Sequence, residues 1–304
     1  MSGTNRDDFA TLLRHALHTD GAPQRILHLI SGIEQPDSPS GGAGEPHTRV
    51  ARLVSLLFFE ENRALEDVQT GNLLRLVVEG EHGAVYCLAI QRKRHLVGLL
   101  TGDGSPEAVD AADRVMVRLV DAVRSGIGLN SQNAAGLATE ATEDEATGLP
   151  KERVDGRNAP VTMIHGSDTD PWLRDLLLGV VATDSLQWVA LVRGREVRVA
   201  VDCFADGRMD DYFVLIGQDA RRRFYTDLAG SGCLLMNRVS RIVRPVVGGP
   251  VRRVVLDVEE GTVVLHRLDA HEHLVGVTLD QERVATVERL LRRVAAAVSA
   301  VPAG

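Results

Sequence analysis

His266, His271 and His273, with Glu272 between the last two, are the side chains in this sequence whose types best suit a metal ion. Imidazole and carboxylate both bind zinc, but a site needs several of them to converge and partners to orient each ring. The expected hairpin puts His266 on one strand and the others at the turn and the start of the next, so convergence is open. His273, however, has a counterpart in His95, and His271 falls opposite Lys93 when the two parts of the chain are aligned. A solvated hairpin turn is therefore the reading we adopt. Asp202, Asp206, Asp210 and Asp211 surround Gly207. Calcium loops place carboxylates at alternate positions, and this spacing is wider. It reads as an acidic surface loop, whose functional reading is contact with a basic partner.

Other combinations carry less. Gly230-Ser231-Gly232 lacks the spacing of a nucleophile elbow and falls within an expected helix. His165, Ser167 and Asp168 have the letters of a triad, but they lie in an expected linker, where no packed element would hold them. The chain contains no GxxxxGK[ST] phosphate loop. Cys87 sits on an expected strand as a small core residue. Arg221-Arg222-Arg223 and Arg92-Lys93-Arg94 read as basic turns or helix starts that aid solubility. Their functional alternative is docking to an acidic protein partner or a phosphate, including an arginine acting in trans. No catalytic, cofactor-binding or metal-binding residue is assigned.

Composition narrows the class. The chain has 304 residues, 44% hydrophobic and 25% charged, which suits two globular domains each with its own core. Aromatic residues make up only 4%, so aliphatic side chains must fill those cores. A net charge of −8 argues against sequence-independent nucleic-acid binding, which needs a basic field. Three cysteines without a CxxC fit a reducing cytoplasm better than a disulfide framework. No apolar run approaches the roughly 20 residues of a membrane span. The first twenty positions include Asp7, Asp8 and Asp20 and lack the long apolar core of a secretory signal.

The elements that must position any site are repeated. Arg75-Leu76-Val77-Val78-Glu79 matches Arg253-Val254-Val255-Leu256-Asp257, and His95-Leu96-Val97-Gly98-Leu99 matches His273-Leu274-Val275-Gly276-Val277. The offset is 178 in both (253 − 75 and 273 − 95), with Gly83 meeting Gly261 between them. After a three-residue difference, closing helices end on Leu119–Val123 and Val294–Val298. Repetition of this kind speaks to architecture before any single motif does. In the first half, periodicity predicts a helix over 5–18, a strand over 25–31, a Pro/Gly/Ser-rich flexible loop over 35–46 and a long amphipathic helix over 47–70 capped by Thr48. Strands at 73–79, 84–91 and 95–101 follow, then a helix opened by Ser105 and Pro106. The region 126–170 reads as a flexible acidic linker with its run at 140–145; 161–164 is the part expected to order. In the second half a helix starts at Asp170-Pro171. A hairpin spans 187–193 and 196–204, and a short strand is expected over 212–217. A long helix over 219–244 is weakened by Gly230 and Gly232. Strands at 251–257, 262–268 and 273–280 precede the last helix, 281–301.

This order resembles the Roadblock/LC7 family. The long helix 48–70, Gly71-Asn72-Leu73, Val77–Gly83, the strand 84–90, His95–Leu99 and the closing helix carry the resemblance, and Val254–Gly261, Leu274–Thr278 and helix 281–301 repeat it. It implies an α/β (α+β) chain of two tandem, profilin-like domains at 1–125 and 171–304. Each would be a five-stranded, largely antiparallel sheet flanked by helices. The first half departs from the pattern where the loop 35–46 replaces a second strand, and the second where 205–223 is expanded. The resemblance further implies a cytoplasmic, non-enzymatic regulator or adaptor without a cofactor. It would bind a Ras-like small GTPase, as a homo-oligomer or as a pseudo-dimer made within one chain. A self-associating scaffold without a GTPase and a metal-dependent hydrolase using the second half's His and Asp residues are the alternatives.

Overall fold

The computed structural model describes residues 3–38, 45–66, 69–136, 162–165 and 170–300. In the first half these form α1 (Gly3–Leu17), β1 (Arg25–Ile30), β2 (Ile33–Glu34), α2 (Glu45–Glu66), β3 (Leu73–Glu79), β4 (Gly83–Gln91), β5 (Arg94–Thr101) and α3 (Pro106–Gly126). There follow β6 (Thr162–His165), α4 (Pro171–Val180), β7 (Trp188–Arg193), β8 (Glu196–Asp202), α5 (Gln218–Val247), β9 (Arg253–Val258), β10 (Gly261–Arg267), β11 (Glu272–Thr278) and α6 (Val284–Ser299). The chain is a mixed α/β protein with antiparallel sheets. Among the described residues no helix is long and apolar enough to cross a membrane.

Two compact units divide the chain. One holds Met1–Ala64, Asn72–Ala134 and Met236–Glu259; the other holds Leu65–Gly71, Ala135–Leu235 and Glu260–Gly304. The first unit therefore includes the last turns of α5 and all of β9. Its strand order is β2-β1-β5-β4-β3-β9, and that of the second unit is β10-β11-β7-β8-β6. The runs β2-β1-β5-β4 and β8-β7-β11-β10 are the same arrangement of corresponding strands. Register agrees too: Val85 faces Leu99 and Val263 faces Val277, each position displaced by 178 (263 − 85 and 277 − 99).

Both faces of these sheets are covered, which is why β3, β9 and β10 read as nearly unbroken apolar runs rather than alternating ones. His95 and Gly98 stand an odd number of positions apart on β5, so they address opposite faces. His95 meets α2 through Ser55, while a Cβ on Gly98 would lie 2.8 Å from Met116 Sδ of α3. The second unit repeats this: His273 meets α5 at Ala229, and a Cβ on Gly276 would lie 2.4 Å from Leu291 Cδ1 of α6. The repeated glycines exist because a closing helix is pressed onto the strand there. Gly83 and Gly261 open the equivalent hairpins, where a Cβ would sit 2.1 Å from Leu100 O and 2.0 Å from Thr278 O.

Helix starts follow local chemistry. Ser105 accepts from Ala108 N ahead of Pro106, and Asp170 accepts from Trp172 N ahead of Pro171. Other expectations are corrected. Helix α2 begins at Glu45, so Thr48 lies inside it and donates to Glu34 Oε2 at 3.0 Å instead of capping. The strand expected over 212–217 is replaced by a 3-10 turn at Gly207–Phe213. Asp206 caps that turn through Arg208 N, Phe213 packs on Phe204, and Val214 and Leu215 stay exposed, so no strand pairing forms. The second strand of the first half, expected to give way to the loop 35–46, is reduced to the two residues of β2. Of the linker, 162–165 pairs with β8, and the acidic run 140–145 lies outside the described residues.

Adding a methyl group at Gly276 or at Gly98 forces a closing helix off its strand. Each glycine-to-alanine change is expected to cost about 1–3 kcal/mol of unfolding free energy, measured by urea denaturation of the full chain.

Candidate functional site

Strands β3 and β9 are the matching members of the two repeats, and they pair with each other. Arg75 faces Asp257, Val77 faces Val255 and Glu79 faces Arg253. Under the displacement of 178, Val77 corresponds to Val255, so the ladder maps onto itself about that central pair. This is the geometry of an isologous interface, here closed within one polypeptide. Two ion pairs flank the centre as symmetry mates. Arg75 Nε donates to Asp257 Oδ2 at 3.0 Å, and Arg253 Nε donates to Glu79 Oε2 at 2.8 Å. Arg75 also bonds Asp113 of α3. Arg75 and Asp257 are both fully buried. A charge in such surroundings is tolerated only with its partner in place.

Helix α2 and the end of α5 lie together in the first unit. Arg238 forms an ion pair with Glu60. Beside that pair the helices leave an open groove of about 550 Å³, lined by Arg49, Val50 and Leu53 of α2 and by Arg241, Ile242 and Pro245 of α5. Leu56 continues the α2 stripe at helical spacing and is 50% exposed.

Each long helix is pinned to its sheet by a histidine. His95 shares a 2.8 Å hydrogen bond with Ser55 Oγ and lies against the rings of Phe58 and Phe59. Burial lowers its pKa from the ordinary 6.5 to about 4. His273 Nε2 donates to Ala229 O at 2.9 Å, and burial lowers its pKa as well. Gly232 of α5 is needed there, since a Cβ would stand 2.7 Å from His273 Nε2. A third histidine, His28, is also buried. Its Nε2 accepts from Arg94 Nε at 2.8 Å, so Nδ1 carries the proton and donates to Asp37 Oδ1, also at 2.8 Å. Both nitrogens are occupied, and Arg94 lies over the ring of Phe9.

The sequence candidates are dispersed. His266 faces Leu274 in the ladder, which sends His266 and His273 to opposite faces of the sheet, while His271 is exposed in the turn. Among the described residues no group of three or more His, Cys, Asp or Glu side chains is placed to hold a metal ion. Asp202 is gripped at both oxygens by Arg222, at 2.8 and 3.0 Å, and Asp206 by Arg208; Asp210 and Asp211 are exposed. Arg221 is buried against Phe213, so of the run 221–223 only Arg223 is exposed. In the other basic run Arg92 and Lys93 are exposed and Arg94 is buried. Ser231 Oγ donates to Leu228 O within α5. His165 has its backbone in β6, and Ser167 and Asp168 lie outside the described residues. Cys87 is fully buried, which pushes its thiol pKa up.

Sequence reasoning passed over the ion pairs at the β3–β9 junction and the His28 cluster. The first had a signal. Arg75 and Glu79, and Arg253 and Asp257, are charges inside otherwise apolar strands, and antiparallel pairing sets each arginine opposite the other copy's acid. The second joins Asp37 to residues 28 and 94 across a loop, and no periodicity marks it. No protein-family model matches the chain, and no curated protein matches it significantly in sequence.

Removing one charge of the junction takes a fully buried carboxylate away from its arginine. Arg75→Met is expected to lower the unfolding free energy by about 3–5 kcal/mol in urea denaturation. His95 predicts a pH effect. Below pH 6.5 the unfolded chain takes up a proton that the folded one refuses until about pH 4. Stability from neutral His95 is therefore complete above pH 6.5 and is lost as pH falls toward 4, by about 3 kcal/mol. Denaturation curves of His95→Asn against the parent should show that slope removed, since the amide keeps a partner for Ser55 and does not titrate.

Proposed function

We propose that this chain is a non-enzymatic regulator or adaptor built from two Roadblock/LC7-like domains, which work as a pseudo-dimer and contact a Ras-like small GTPase. The observation that carries the reading is the pairing of β3 with β9 about Val77 and Val255. Sheet edges joined strand to strand, with long helices alongside, are how the proteins this sequence resembles dimerise. Here both partners come from one chain. Arg75 and Asp257 in the centre of the junction are fully buried, which suits a permanent contact more than a transient one.

The dispersal of the His, Asp and Ser candidates supports a binding role over hydrolysis. General acid–base or metal chemistry needs groups within hydrogen-bond reach of one reacting atom. Here His28, His95 and His273 each spend ring nitrogens on packing or on fixed partners. The exposed face of α2 and the end of α5 in the first unit is the surface we assign to a protein partner. A cytoplasmic setting agrees with the buried free thiols of Cys87 and Cys203.

The test is to mix the full chain with Ras-like GTPases from its own source, loaded with GDP or a non-hydrolysable GTP analogue. Size-exclusion chromatography and hydrolysis rates are then recorded. A stoichiometric complex with at least one of them, or a changed hydrolysis rate, is expected. No complex with any and no rate change removes the GTPase part; higher assemblies of the chain alone would point instead to the scaffold.

A further inference from the structure

We propose that the groove between α2 and α5 in the first unit is a docking site for an acidic, amphipathic helix of a protein partner. Its biological setting rests on the small-GTPase reading above, whereas its chemistry comes from the groove alone.

The floor is apolar. Val50 is buried, and Leu53, Ile242 and Pro245 line the opening. Leu53 and the half-exposed Leu56 extend along α2 at a three-residue step. A helix laid beside them presents its own apolar residues at i, i+3, i+4 and i+7 to such a floor, which is the recurring helix-in-groove mode. The space, about 550 Å³, falls within the range of pockets that hold several buried side-chain-sized groups.

The rim is basic. Arg49 and Arg241 flank the opening, and Arg52 and Arg244 follow within one turn on their helices. All four are exposed, and none has a carboxylate at ion-pair distance among the described residues. The acid on the same stripe of α2, Glu60, is engaged by Arg238. The protein as a whole carries −8, so a concentration of unpaired arginines around an apolar floor runs against its average charge. Carboxylates flanking the apolar stripe of an incoming helix match this rim. They speed encounter and fix register, while the apolar contacts supply the affinity. Nucleic acid fits less well, because the phosphate backbone makes no use of an apolar floor and meets repulsion from the acidic remainder.

The probe is a fluorescein-labelled synthetic helix of about 16 residues, with leucine at i, i+3, i+4 and i+7 positions and glutamate on the flanks. A version with lysine for each glutamate and a single-stranded oligonucleotide serve as controls. Anisotropy titrations use the full chain, the double variant Arg49→Glu/Arg241→Glu, and Leu53→Asp. Circular dichroism melts verify that these surface variants stay folded. The glutamate peptide is expected to bind at least about tenfold more tightly than the lysine peptide. The double reversal should abolish that preference, and Leu53→Asp should weaken both peptides. Failure of the glutamate peptide to bind, equal binding of the two peptides, indifference to the reversal, or binding of the oligonucleotide in place of the peptide overturns the proposal. A chain that binds no GTPase yet passes this test loses only the GTPase assignment.

Discussion

The antiparallel pairing of β3 with β9 is the constraint on which the rest of the first unit depends. A sheet edge leaves a row of unpaired backbone donors and acceptors, and here each repeat supplies the edge that satisfies the other. The self-complementarity follows from register. With Val77 opposite its own counterpart Val255, every arginine four residues before an acid meets the other strand's acid. A slip by one residue would turn each side chain to the opposite face and strand buried charges without partners. The ion pairs therefore specify alignment as well as occupy the junction.

Around that junction the duplicated positions perform duplicated tasks. His95 and His273 reach from β5 and β11 to the long helices, and Gly98 and Gly276 admit the closing helices on the other face. A small neutral imidazole can bridge strand and helix inside a core where a charged group would be too costly. The absence of a side chain at the glycines lets aliphatic Met116 and Leu291 fill the space directly. In a chain with so few aromatic residues, close helix-to-strand approach supplies the packing that larger side chains would otherwise provide.

Much of this was legible in the residues. Three-strand runs at the end of each half, their closing helices and the caps at Ser105 and Asp170 follow from periodicity, turn chemistry and internal comparison. The glycines of α5 read as local weaknesses, whereas Gly232 is required by the ring of His273 across the core. Helix propensity describes a residue's own backbone and knows nothing of a neighbour forty positions away. Segment 212–217 misled for a related reason. Its aromatic and apolar letters suit a strand, but no strand offers it hydrogen bonds, and Asp206 caps a 3-10 turn instead.

The sequence by itself determined the duplication, the order of elements and the antiparallel character of the hairpins, because these depend on spacing along the chain. Only the tertiary structure decided that β3 takes β9 as its neighbour and that Arg75 and Arg253 meet acids from the other repeat. It alone revealed that α2 and α5 leave an apolar groove rimmed with exposed arginines. Those facts depend on residues some 180 positions apart meeting in space. Burial of apolar surface drives that encounter without direction, and backbone hydrogen bonding and charge pairing then select one register from the many a single chain permits.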